Sequence, residues 1–500
     1  MKVLVAEKPS VARELAAYLG ARRRRDGYFE GDDCRVTWAI GHLVGLKEPQ
    51  DYDPVWQRWS LQSLPILPRR FELKALDDPR SRAQLDIVLG LIRAADELIC
   101  ATDAGREGEL IFRYILELGG CTDKPVQRLW LSALTESAIA AAFADLRPAS
   151  EFDRLYAAAR SRSQADWLVG INGTRAYTVR FGRGVLWSLG RVQTPVLALI
   201  AARDDEIHQF VAEPWHELRT RYRKVWFKHA AERFRDPQAA NALLERVRAA
   251  PLTIQGLETK EERLPPPPLY DLTSLQRDLN TAHGLSAADT LQYAQELYER
   301  KAITYPRTDA RHLPDSMHAE LVATLRRLGR IERFAPWIAR LDLDALPRSP
   351  RVFDDTKVSD HHAIVPTGNA PNGGHALVYE AIVRRTVAAF YPVCRREVTT
   401  VAALVEDVPF KARGTRVVDP GHTVLEEAPA RAGTAPRGRR RGAARDGEDA
   451  EGDSDQELPE LRVGESGPHQ PEVRSGETRP PRPFTESTLL GAMETAGKLV

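Results

Sequence analysis

The sequence predicts a multidomain chain combining an open, mostly parallel α/β sheet, helical domains and a β-rich region. Three observations carry this expectation. Two short apolar runs, Val3-Leu4-Val5-Ala6 and Leu98-Ile99-Cys100-Ala101, each end in an acidic turn that leads into a helix, the repeating unit of a parallel sheet. From Glu151 to about Phe210, and again from Leu272 to Tyr298, the chain reads helical. Between Glu213 and Lys260, and at Val398 to Leu404, alternating and β-branched stretches read as strands. At 500 residues the chain exceeds a single hydrophobic core and fits about three or four domains.

In chain order, the first strand ends at Glu7-Lys8-Pro9-Ser10, where Ser10 is the expected cap of a helix running from Val11 to Leu19. Glu7 and Lys8 therefore stand at the carboxyl end of a strand, the usual position for a site in an open α/β sheet. The second strand ends at Asp103, and a glycine-bearing turn, Ala104-Gly105-Arg106-Glu107-Gly108-Glu109, precedes a helix opening at Leu110. If the two strands are neighbours, Asp103 and Glu107 converge on Glu7. Three carboxylates around one cleft repel unless a hard cation neutralises them, which makes magnesium the expected cofactor.

Arg162 and Asp166 lie four residues apart, so on a helix they share a face and are expected to pair, either orienting the guanidinium toward a phosphate or forming a solvated surface pair. Thr194-Pro195 reads as the start of a helix from Val196 to Asp204. Pro265 to Pro268 forms a stiff connector, and Ser286-Ala287-Ala288-Asp289 has the form of a capping box. Leu377 to Ala388 reads as a helix. Residues from about Ala428 to Gln456 are rich in Gly, Ala, Pro and charge, and are expected to be a disordered insertion whose arginines are neutralised by the acidic run that follows.

The stretch Lys301-Ala302-Ile303-Thr304-Tyr305-Pro306-Arg307-Thr308-Asp309 is the expected seat of chemistry. Pro306 biases Tyr305 out of helical geometry, so the tyrosine belongs in a turn. Two residues on, Arg307 offers a planar fork of donors to a phosphate, and a phenol beside such an arginine suits attack on a phosphodiester.

Bulk charge names no partner: Lys+Arg 71 against Asp+Glu 70 leaves +1, so any nucleic-acid site is a local basic surface. Cys34, Cys100, Cys121 and Cys394 are scattered without CxxC spacing, which argues against a zinc site or a disulfide framework and fits a reduced, cytoplasmic setting. No signal-like segment or membrane-length apolar run is read, and no P-loop.

Glu7-Lys8 with Asp103-Ala-Gly-Arg-Glu107-Gly-Glu109 resembles a toprim domain. Adding Tyr305-Pro-Arg307-Thr-Asp309, the sequence resembles type IA DNA topoisomerases, specifically the topoisomerase III branch. Further matches are Ala39-Ile-Gly41-His42-Leu43, Ser188-Leu-Gly-Arg191-Val-Gln193-Thr-Pro195, Pro267-Pro-Leu-Tyr-Asp271-Leu272, His361-His-Ala-Ile-Val-Pro366-Thr367 and Pro483-Phe-Thr-Glu486. The resemblance covers nearly the whole chain and implies a toroidal core: a toprim domain over residues 1–150, a helical single-strand-binding domain over 151–214 continued by an incomplete 483–500, a β-rich arch over 215–265 and 369–482, and a helical domain over 266–368 carrying the tyrosine.

The resemblance also implies a reaction. Tyr305 would attack single-stranded DNA to give a 5′-phosphotyrosine, a second strand would pass, and the break would be resealed without ATP. Arg307 and Lys8 would neutralise the phosphate and Glu7 would manage the proton of the leaving oxygen. Arg162, Asp166, Arg191 and Gln193 would contact the strand. His361 would support the phosphate or the surroundings of Tyr305, or be a core histidine. A monomer is expected, with a helicase and a single-strand-binding protein as further partners. Many relatives have DxDxxxE, whereas Gly105 stands where the second aspartate would be. A toprim nuclease or primase, and a non-catalytic single-strand binder, are the alternatives.

Overall fold

The computed structural model describes residues 1–131, 134, 136–231, 233–358, 361–368, 370–371, 375–426 and 456–496. The insertion expected over 428–456 lies almost wholly outside them. The chain folds as two compact units. The first comprises Met1–Leu197, Gln295–Met317 and Phe353–Ile364, and the second comprises Ala198–Ala294, His318–Val352 and Val365–Val500.

The first unit is built on a seven-stranded sheet. Its strands are β1 (Lys2–Ala6), β2 (Arg23–Arg25), β3 (Tyr28–Glu30), β4 (Cys34–Trp38), β7 (Glu97–Ala101), β8 (Val126–Arg128) and β9 (Arg147–Pro148), in the order β2-β3-β4-β1-β7-β8-β9; a separate hairpin joins β5 (Val44–Leu46) to β6 (Leu73–Ala75). Parallel pairing of β1 with both β4 and β7 makes it central. Its apolar run is therefore buried on both faces: Leu4 and Ala6 pack with Val11, Leu15 and Ile99 on one side, while Val3 and Val5 pack with Val88, Ile92 and Phe112 on the other. Because β1 and β7 are neighbours, the two acidic turns at their carboxyl ends meet.

Helix boundaries differ from the sequence expectation in an instructive way. The first helix runs Pro9–Tyr18, with Lys8 as its cap residue and Pro9 in the first turn, so Ser10 lies inside it. Proline at a first helical position loses nothing, because that N–H has no intrahelical partner. The helix after β7 runs Arg106–Gly119, starting a turn earlier than Leu110 and so including Glu107 and Glu109 in its first turn, where the helix dipole favours carboxylates. Farther on, the helix expected to open at Val196 spans Gln193–His208.

The second unit holds another seven-stranded sheet, in the order β15-β12-β13-β14-β11-β10-β16, with every pairing antiparallel. Its strands are β10 (Pro214–Tyr222), β11 (Val225–His229), β12 (Leu252–Leu264), β13 (Cys394–Val405), β14 (Val408–Asp419), β15 (Ser466–Gly467) and β16 (Gln470–Glu477). The sequence reading missed the helix Pro237–Val247 among these strands, although Asp236 caps it through Oδ1 and Pro237 opens it. Leu243, Leu244 and Val247 of that helix close one face of the sheet over Leu218, Phe227 and Phe410. Elsewhere in this unit, the Arg385 guanidinium lies 4.0 Å over the Tyr270 ring and pairs with Asp278, which also accepts from Tyr270 Oη at 3.0 Å. That cluster fixes the end of the proline connector on the helices Leu272–His283 and Ala376–Ala388.

Candidate active site

The site stands at the carboxyl ends of β1 and β7. Lys8, two residues past the end of β1, donates from Nζ to Asp103 Oδ2 at 2.7 Å and to Tyr305 Oη at 3.1 Å, and lies 3.7 Å from Glu7 Oε1. The Asp103 backbone N–H donates to Glu7 Oε2 at 3.3 Å. Burial opposes the charge on Lys8, but Asp103 and Glu7 outweigh it and hold the ammonium above its ordinary range. Burial, reinforced by the Asp103 charge, raises Glu7. The Lys8 ammonium is thus a fixed positive charge at the phenol oxygen.

Tyr305 occupies a non-helical turn, as its proline neighbour requires. Two rings and an ammonium frame it: His361 at 4.4 Å between centroids, Tyr298 edge-on at 5.2 Å, and Lys8 Nζ 4.5 Å over its ring. Thr304 Oγ1 donates to the Ala363 carbonyl and Thr308 Oγ1 to the His361 carbonyl, tying the tyrosine loop to the histidine segment on both sides. Burial lowers His361 to about 4 and raises Tyr298 to about 12, so both are neutral at pH 7. Exposed Arg307 has no ion pair or hydrogen bond among the described residues, and its donor fork is available to a ligand.

Glu107 sits apart from the Glu7–Asp103 pair. Its carboxylate takes His42 Nε2 at 2.9 Å and pairs with Arg162, and these contacts, the His42 bond foremost, lower its pKa. His42 reaches it from a turn in which Ile40 has φ 44 and Gly41 φ 85. A β-branched residue in that region is strained, and such strain collects at functional sites. Arg162 therefore does not pair with Asp166 as the four-residue spacing suggested. Asp166 instead accepts from Arg191 Nε at 3.0 Å, and Gln193 Nε2 donates to Ser188 Oγ at 3.1 Å. Glu7, Lys8, Asp103, Tyr305 and His361 thus meet in one place, whereas Asp166, Arg191 and Gln193 form a separate exposed group.

Two residues central to the geometry were not singled out from sequence. Glu109 and Arg128 are 1% and 0% exposed and pair at 2.9 Å. The Arg128 guanidinium donates to three carbonyls at the strand end and turn: Cys100 at 3.0 Å, Thr102 at 2.7 Å and Asp103 at 2.6 Å. Gly108 completes this fixation, since a Cβ there would lie 2.0 Å from the Asp103 carbonyl oxygen. Backbone cannot swing aside as a side chain can, so Gly108→Ala is expected to cost about 3 kcal/mol of stability, read as a lowered urea midpoint.

Glu7 and Asp103 fit a hard divalent cation. Both offer carboxylate oxygens, and burial together with the neighbouring Asp103 charge raises Glu7, a cost to the ionised form that a bound cation would offset. Among the described residues no three acidic, histidine or cysteine side chains converge in metal-holding geometry, because Glu107 is engaged elsewhere.

Residues 2–134 match the Toprim domain family, and residues 150–497 match the DNA topoisomerase family. The chain belongs to the type IA DNA topoisomerase family. Among its relatives are the protein named DNA topoisomerase 3 of Shouchella clausii, 41% identical over 84% of this chain and 59% of that protein, and its namesake in Bacillus subtilis, 35% identical over 98% and 67%. The chain thus spans about three fifths of the length of the first of these. Full-length topoisomerase I from Thermotoga maritima has the same fold, with a TM-score of 0.67 at 21% identity over 99% of this chain and 75% of that one. Among the described residues no helix is long and apolar enough to cross a membrane.

Proposed function

We propose that this chain cleaves and rejoins one DNA strand through Tyr305. The observation that carries the reading is the Lys8 Nζ–Tyr305 Oη contact at 3.1 Å, inside a toprim sheet whose two acidic turns meet. In the forward step the Tyr305 oxygen forms a bond to phosphorus and the bond to the 3′-oxygen breaks, giving a 5′-phosphotyrosine and a 3′-hydroxyl. The phenolic proton passes to water as the new bond forms, and a proton is supplied to the departing oxygen. Glu7 suits the latter role, since its raised pKa lets it carry a proton nearer neutrality than an ordinary carboxylate does. Lys8 stabilises the charge that grows on the phenol oxygen and phosphate, and Arg307 takes a non-bridging phosphate oxygen. Neutral His361 packs on the Tyr305 ring and sets its orientation. Rejoining is the reverse, and because one ester replaces another, no nucleotide is consumed.

Glu7 and Asp103, with Glu107 if Arg162 turns to a phosphate, would hold magnesium, which when bound neutralises phosphate charge. Single-stranded DNA is the proposed partner, with Arg162, Asp166, Arg191 and Gln193 as the flanking contacts, in a cytoplasmic, monomeric protein that works beside a helicase and a single-strand-binding protein. Trapping by denaturant of a covalent adduct with a labelled oligonucleotide tests the reading. No adduct under any magnesium concentration would overturn it.

Gly105 bears on the metal. Its φ of −179 and ψ of 179 are extended backbone that aspartate also adopts. Gly105→Asp is therefore expected to lower half-saturating magnesium for rejoining by a factor of about five, equivalent to about 1 kcal/mol from one added charge beside a cation that keeps waters of its own. Equal half-saturation at unchanged folding stability would show that the absent carboxylate is immaterial.

A further inference from the structure

Strand register in the second unit assembles a surface that the proposed chemistry does not use. Leu218, Thr220 and Tyr222 of β10 point into the core, so Glu217, Arg219 and Arg221 occupy the other face. Arg219 stands opposite Lys228 of β11 and Glu472 of β16, and Lys228 stands opposite Lys411 of β14. One row across four strands therefore reads Glu472, Arg219, Lys228, Lys411. In the next row Arg221 faces Trp226.

Two indoles on this face have guanidinium groups over them at cation–π distance. Arg219 lies 4.1 Å and Arg221 6.0 Å from the Trp226 ring, while Arg233 lies 4.0 Å and Arg474 5.7 Å from Trp215. Gly476, directly opposite Trp215, leaves room for that ring, because a Cβ there would come within 2.6 Å of it. Trp215 is 6% exposed, and its Nε1 has no partner among the described residues. The acids on the face are already committed, Glu472 to Arg219 and Glu217 to Lys228. Arg221, Arg233 and Lys411 are exposed and have no ion pair among the described residues. The helix Pro237–Val247 packs on the opposite, apolar face.

We propose that this face of the β-sheet binds a second nucleic-acid strand. Guanidinium groups held close over aromatic rings are pre-ordered to meet a base or grip a phosphate, and the uncommitted cations supply the backbone attraction. The proposal rests on the reading that this chain acts on DNA, and it deepens it by giving the strand not held at Tyr305 a place to bind.

The test is a titration of the full chain with a fluorescein-labelled dT15 strand, comparing wild type with Arg221→Gln/Arg233→Gln/Lys411→Gln. Wild type is expected to take two strands and the variant one, with the summed slope of log affinity against log salt shallower by about 2, as expected for three lost phosphate contacts on a single strand. The single variant Lys411→Glu, at an exposed position, should weaken the second event alone by about threefold or more. Equal stoichiometry and slope in variant and wild type would overturn the proposal, as would one strand per wild-type chain. Adduct yield on an excess of oligonucleotide reads the Tyr305 site separately and should stay within about twofold in both variants. Loss of adduct in wild type would sink the cleavage reading while leaving the binding result to stand on its own.

Discussion

Tyr305→Phe is expected to abolish covalent attachment to DNA, by on the order of 10⁴-fold or more, because it deletes the only atom that forms the new bond. Strand binding should change little: the lost contact is one hydrogen bond from Lys8, about 1 kcal/mol at most in a half-exposed setting. The ring survives in phenylalanine, so the stacking on His361 and Tyr298 is retained. Denaturing gels after incubation with a labelled strand give the first quantity and anisotropy the second. Residual adduct in the variant would mean that another nucleophile does the work.

The second large effect concerns stability. Arg128→Met removes the positive partner of Glu109 and three carbonyl contacts at once, in a place with no access to water. Breaking one side of a buried pair strands the other charge, and a loss of about 3–5 kcal/mol is expected. Arg113, 3.4 Å from Glu109, offsets a part of it. Adding Glu109→Leu should restore much of the urea midpoint, since an apolar replacement of both partners leaves no stranded charge. It should not restore adduct formation, because the Asp103 carbonyl stays unheld. Recovery of both together would show that the pair serves folding alone.

Much of the first unit was legible because its signals are local. A central strand of a parallel sheet is apolar throughout, and the residues at its end are adjacent in sequence, so Glu7, Lys8 and Asp103 could be brought together by a single assumption about strand neighbours. Tyr305 was placed in a turn by the proline that follows it. What could not be read is partner choice across long separations. Helical spacing made Arg162 and Asp166 natural partners, yet Glu107, 55 residues away, and Arg191, 25 residues away, claimed them. Spacing within a helix carries no information about which foreign charge will be closer. Arg128 left no mark either, since it ends a short strand that mixes polar and apolar residues, and its value appears only when the carbonyls of the neighbouring strand converge on it.

The edge position of β16 has a consequence for how the chain is made. Its partner β10 lies far upstream, Glu472 being 253 positions after Arg219, so the sheet cannot be finished until that whole intervening stretch has left the ribosome. At usual synthesis rates that is a wait of roughly 10–50 s. During it, β10 presents an unpaired row of backbone donors and acceptors with apolar residues on one side, the pattern that recruits strands from other molecules. Chains ending between Tyr222 and Gln470 should therefore collect in the insoluble fraction, and solubility should return once Glu477 is included.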